Sequence, residues 1–154
     1  MEKTQTKKII ISFAVILLVA VLGGIFVYLG MDWYNELTKP TEWIPNIVIP
    51  IVWTIIYIAF AVINFLWFKH GDIPKPTIVL MLINAVLNVL WCLTFFTLNL
   101  LLIGNIMILL NLIAGFALLV DIFKYKKIFA YILSIYPIWL CIATTLNLAL
   151  WILN

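Results

Sequence analysis

Five apolar runs, each about 20 residues long and uncharged until its ends, constrain this chain more than any other feature. They lie at about 9–29, 46–68, 77–97, 101–122 and 128–152. At 1.5 Å per residue, such a run as a helix crosses the roughly 30 Å hydrocarbon layer of a bilayer. The strands of a membrane barrel are about 10 residues long and alternate in polarity, a pattern absent here. The sequence therefore predicts an all-α integral membrane protein, a five-transmembrane-helix bundle forming a single domain over 1–154. Only 10% of residues are charged, against roughly 25% in a soluble domain.

The first run follows Lys3, Lys7 and Lys8, as a secretory signal would. It exceeds the usual 7–15-residue apolar region of a signal and no small-x-small cleavage site follows, so it reads as an uncleaved first span. All nine basic residues are lysines. Eight of them lie in the N-terminal segment, the 69–76 connection and the 121–127 connection, which five spans place on one side. The 30–45 loop on the other side carries only Lys39. The positive-inside rule then puts the N-terminus in the cytoplasm and turns the 30–45 loop and the C-terminus outward. Cys92 and Cys141 fall inside spans and read as free thiols.

Within the spans, polar and aromatic residues recur at helical spacing. Asn46, Pro50, Trp53, Tyr57, Phe60, Asn64 and Trp67 share a face of the second helix; Asn84, Asn88, Trp91 and Phe95 share one of the third. The fifth carries Tyr136, Trp139, Ala143 and Asn147. Counted from the outer ends, Trp53, Asn88, Trp91, Ala143 and Asn147 lie roughly 8–14 Å deep and Tyr57, Asn84 and Trp139 about 16–20 Å. An amide in hydrocarbon needs a partner and turns toward the bundle interior. Aromatic walls with a few placed polar groups suit a flat apolar ligand.

The 30–45 loop, with Trp33, Tyr34 and Trp43, is longer than a connector needs and is expected to be a lid, with Asp32 capping a short helix before Pro40. Trp33, Trp43, Trp67 and Trp151 also suit an interfacial aromatic belt. Pro50 is expected to bend or loosen the second helix. Gly23, Gly24, Gly104 and Gly115 read as close-packing positions, and Asn64 and Asn111 as ties between helices.

Several chemistries lack their parts. No charged residue lies inside a span, which argues against a proton- or sodium-coupled pump. His70 is the only histidine and sits in a connection, and no cluster suggests a metal. There is no phosphate-binding glycine loop, no nucleophile elbow and no basic nucleic-acid patch. No metal and no cofactor is expected.

Three ordered patterns, WxPxxxxPxxWTxxY at 43–57, NxxxNxxWxxxFF at 84–96 and PxWxxxATxLNxxxW at 137–151, resemble the TspO/MBR family of tryptophan-rich sensory proteins, related to the mitochondrial translocator protein or peripheral benzodiazepine receptor. The resemblance implies a five-helix membrane bundle, commonly a homodimer, that binds tetrapyrroles such as protoporphyrin IX, and isoquinoline-carboxamide and other benzodiazepine-site drugs, beneath the first loop. It implies ligand-binding roles for Trp53, Tyr57, Asn84, Asn88, Trp91, Trp139, Ala143 and Asn147, with Trp33 and Trp43 in the lid. It also links the chain to light- and oxygen-dependent porphyrin breakdown, where Trp53 and Trp139 would take the catalytic part, or alternatively to tetrapyrrole transport. The aromatic-then-basic pattern of cholesterol recognition is missing from Leu146–Ile152.

Overall fold

The computed structural model describes residues 3–40 and 44–154; Trp43, an expected lid residue, lies outside them. Five helical spans are present: α1 (Lys3–Leu29), α3 (Val48–His70), α4 (Lys75–Cys92) prolonged by a π-helical turn (Leu93–Thr97), α5 (Leu101–Tyr125), and α6 (Lys127–Leu133) with α7 (Ile135–Leu153). A short α2 (Met31–Glu36) follows α1. The bundle is lipid-facing by composition: Leu17, Ile113, Val120 and Ile128 are exposed, as an apolar solvent permits. α5 is central, packed against α4 on one side and α7 on the other, and Phe95, Ile108, Leu140 and Leu150 fill the core between them.

Local chemistry explains where the helices depart from expectation. α3 starts at Val48, so Pro50 sits in its first turn. Its missing N–H is one of the four that a helix start leaves unpaired anyway, so no bond within the helix is lost to it. The last span is broken at Ser134, because Pro137 cannot donate to the Leu133 carbonyl. The Ser134 hydroxyl donates to the Tyr131 carbonyl instead (2.7 Å). Asp32 lies in the first turn of α2 but makes no side-chain cap bond; Gly30 is the capping residue. The π turn is marked by the Leu98 N–H donating to the Leu93 carbonyl, five residues back (2.9 Å). The wider turn brings both Phe95 and Phe96 into the core.

Side-chain bonds fasten each end. At the lysine-rich end, Lys8 Nζ and Gln5 Nε2 donate to Asp72 Oδ1 (2.6 and 3.3 Å), tying α1 to the α3–α4 connection. There Thr77 Oγ1 also donates to Asp121 Oδ2 (2.6 Å). Asp121 was expected after the fourth span; it is instead within α5 and buried, because Thr77 and Lys124 both reach it. At the opposite end, the Asn154 side chain pairs with Thr38 like a peptide group, its Oδ1 accepting from the Thr38 N–H (2.9 Å) and its Nδ2 donating to the Thr38 carbonyl (3.0 Å).

The hydrogen bond from Lys8 holds the Asp72 carboxyl below the usual carboxylate range. Its contribution is therefore complete above that range and is lost as pH falls through the folded-state value. A stability difference between wild type and Asp72→Asn, small because the pair is exposed, should be present at about pH 6 and close below about pH 4. A thermal midpoint difference that persists unchanged at low pH would contradict this.

Candidate functional site

Trp53 from α3, Trp91 from α4 and Trp139 from α7 meet in the half of the bundle nearest α2. Helical spacing puts each on the inner face of its own span, and their shared depth brings them together. The Trp53 and Trp91 rings lie 5.8 Å apart at 31°, and Trp53 and Tyr57 lie 5.9 Å apart at 30°, offset arrangements of the kind aromatic rings favour. Trp53, Trp91, Trp139, Ala143 and Asn147 border a cavity of about 30 Å³, closed from the α2 side by Tyr34. That is about the volume of one water molecule.

Tyr34 was named in sequence only as a loop aromatic. It is buried, packs on Phe96 (5.5 Å between rings), and its carbonyl accepts from Lys39 Nζ (2.8 Å). Nothing in its spacing distinguishes it from Trp33, which instead packs edge-on against Phe95 (5.8 Å, 73°). Tyr34 is thus the residue of α2 that lines the cavity.

The other expected residues lie elsewhere. Tyr57, Asn84 and Asn88 border a larger cavity of about 320 Å³ between α1, α3 and α4, with Trp53 standing between the two spaces. Tyr57 Oη donates to Asn88 Oδ1 (3.4 Å). Asn84 is engaged in holding helices together. Its Nδ2 donates to the Leu80 and Ala114 carbonyls (2.8 and 3.1 Å), and its Oδ1 accepts from Tyr136 Oη (3.1 Å). Tyr136 also lies 2.9 Å from Asn111 Oδ1. One hydroxyl proton cannot serve both oxygens. With the Asn111 amide turned over, its otherwise unpartnered Nδ2 donates to Tyr136, and the hydroxyl proton goes to Asn84. Tyr136 is thus the hub of an α4–α5–α7 tie.

Three polar atoms around the small cavity have no such partner. Trp91 Nε1, Trp139 Nε1 and Asn147 Nδ2 are buried and unpaired among the described residues. A buried donor left unmade costs about 1–3 kcal/mol, so three of them on residues that line one cavity are poised for an acceptor from outside the chain once the space widens. The arrangement can stack a flat ring system and donate to its acceptors. Among the described residues no group of His, Cys, Asp and Glu could hold a metal ion.

The model of the TspO/MBR family matches residues 12–152. The chain is 26% identical over 126 residues to Protein CrtK of Rhodobacter capsulatus, covering 79% of this chain and 78% of that protein. It is 26% identical over 149 residues to the Tryptophan-rich protein TspO of Archaeoglobus fulgidus, covering 96% and 97% respectively.

Proposed function

Because the chain belongs to the TspO/MBR family, whose proteins bind tetrapyrroles in membranes, we propose that this multi-pass membrane protein is a receptor for protoporphyrin IX or a similar tetrapyrrole, and for benzodiazepine-site ligands. The observation that carries the reading is the set of three unpartnered donors, Trp91 Nε1, Trp139 Nε1 and Asn147 Nδ2, on one aromatic-walled cavity. The macrocycle stacks against Trp53, Trp91 and Trp139, and its carboxylate or carbonyl oxygens accept from the three donors. The lysine-rich end is cytoplasmic and α2 faces outward. The 30 Å³ space admits no macrocycle as it stands, so binding lifts Tyr34 and α2. Tyr57 and Asn88 extend the site past Trp53. A homodimer fits the reading but is not required by it.

Metal-free protoporphyrin should quench tryptophan fluorescence of the purified protein at one saturable site. Unchanged quenching in the Trp53→Phe/Trp139→Phe double variant would count against the site. Illumination of the loaded protein in oxygen tests the breakdown reading, in which Trp53 and Trp139 are the oxidisable groups: bleaching should then exceed that of porphyrin in empty detergent and depend on both indoles.

Transport is the second reading, favoured by one observation. Trp53 borders both cavities, so its displacement would join an outward space to one reaching Lys8 at the lysine-rich end. Tetrapyrrole uptake into vesicles no faster than in protein-free ones would dismiss it.

A further inference from the structure

The larger cavity has features that tetrapyrrole binding does not use. Ile9 and Gly23 are the only buried residues of α1 among those described. They are 14 positions apart, about 21 Å along the helix. Between them Ser12, Val15 and Val19 form one wall of the 320 Å³ space, opposite Phe68 and Met81. Leu82, also on the lining, is half exposed, so the space opens sideways to lipid.

From Lys8 to Val19 the crevice runs about 16 Å, close to half the roughly 30 Å hydrocarbon layer. Spread over that length, 320 Å³ leaves a mean section of about 20 Å². A helix, 10 Å across, needs roughly 80 Å². The space therefore fits a single extended chain and no protein segment. Left empty in a bilayer, its walls would forfeit their dispersion contacts.

At the lysine-rich end the polar residues of the lining are Lys8, Ser12 and Asn64; Tyr57, Asn84, Asn88 and Tyr136 lie at the other end of the space. Lys8 lines the mouth, next to the other lysines of that end. One turn deeper, Asn64 is buried; its Nδ2 donates to Ser12 Oγ (2.7 Å) and its Oδ1 has no partner. Turning the amide over only changes which of its atoms is orphaned. With the amide turned over, its Oδ1 accepts from the Ser12 hydroxyl and its Nδ2 is left to donate to a lipid ester carbonyl.

We propose that this crevice is a lipid site, holding one acyl chain of an anionic phospholipid from the leaflet at the lysine-rich end. The tail lies beneath α1 between Ile9 and Gly23, an ester carbonyl of the glycerol backbone meets Asn64, and the phosphate faces the lysines, whose charge favours an anionic lipid over a zwitterionic one. Val15, Val19, Asn64 and Met81, which this site uses, are not residues of the tetrapyrrole reading, which enters the same space only at its far end through Trp53, Tyr57 and Asn88.

The test is native mass spectrometry of the full chain after exposure to an equimolar mixture of phosphatidylglycerol, phosphatidylethanolamine and phosphatidylcholine. One phosphatidylglycerol should be retained per chain, in excess over the other two. Val15→Phe fills the crevice and should cut retention on the order of tenfold, the worth of about two chain methylenes. Leu18→Phe, on the exposed face of α1, should leave it unchanged. Equal retention of the three lipids, or equal retention by Val15→Phe and wild type, would overturn the proposal. If Val15→Phe fails to fold, phosphatidylglycerol carrying a tail diazirine decides the matter on wild type. Labelling should concentrate around Val15, Val19 and Met81, whereas labelling as strong around lipid-facing Val120 would overturn it.

Discussion

Gly30→Ala should destabilise the protein by about 3 kcal/mol, at the upper end of what overpacking costs. A Cβ at Gly30 would overlap the carbonyl group of Phe96. A side chain could swing aside; this carbonyl cannot easily do so, because the π turn that carries it is anchored on both sides. Leu98 donates back to Leu93, and Thr97 Oγ1 donates to the Phe26 carbonyl of α1 (2.9 Å). The clash lies at the cap of α2, so the variant should also displace Tyr34 and open the small cavity. Gly24→Ala is the control: nothing lies within 4 Å of a Cβ there, and in mid-helix the change should be neutral or stabilising by up to about 1 kcal/mol. Thermal unfolding in detergent reads both. Equal midpoints for the two variants would refute the claim that α2 is seated on the Phe96 backbone.

Asn147→Leu should move stability and binding in opposite directions. Asn147 is buried and its Nδ2 has no partner, so replacing the amide by an apolar group of similar size removes a desolvation cost of about 1 kcal/mol or more. The ligand-free protein should become more stable by roughly that amount. The bond from Asn105 Nδ2 to the backbone carbonyl of residue 147 (3.3 Å) is untouched. Affinity for protoporphyrin should fall about tenfold, the loss of one well-made hydrogen bond. A residue that only holds helices together would lower stability and leave affinity alone. Chemical denaturation and fluorescence titration of the same preparation separate the two. A less stable variant with unchanged affinity would remove Asn147 from the site. Tyr136→Phe should behave in the structural manner, since its hydroxyl already serves Asn84 and Asn111.

How much was legible in sequence follows from what helical spacing encodes. Run length gives the spans, because the bilayer fixes how many residues a helix needs. Spacing gives the inner face of each helix, and depth counting brought Trp53, Trp91, Trp139, Ala143 and Asn147 to one cavity. Neither says which helices are neighbours. That is why Asn84, on the same stripe as Trp91, could not be seen to face α5 and α7 rather than the cavity under α2. Tyr57 and Asn88 border a second space whose far wall is α1, a helix with no polar stripe to announce it. The π turn breaks the 3.6-residue count, so inward-facing Phe96 beside inward-facing Phe95 was beyond any periodic reading. Asp121 looked like a connection residue because the partner that permits its burial, Thr77, is 44 positions away.

The Tyr136 hub has a consequence for biogenesis. Membrane helices are made in chain order, so Asn84 and Asn111 reach the bilayer before the residue that joins them has been synthesised. Asn84 can wait, because its Nδ2 donates to the Leu80 carbonyl within its own helix. Asn111 has no such bond among those described, and it sits in the helix that lies between α4, already made, and α7, still to come. The polar contact that Asn111 makes in the finished bundle therefore forms only when the last span arrives with Tyr136.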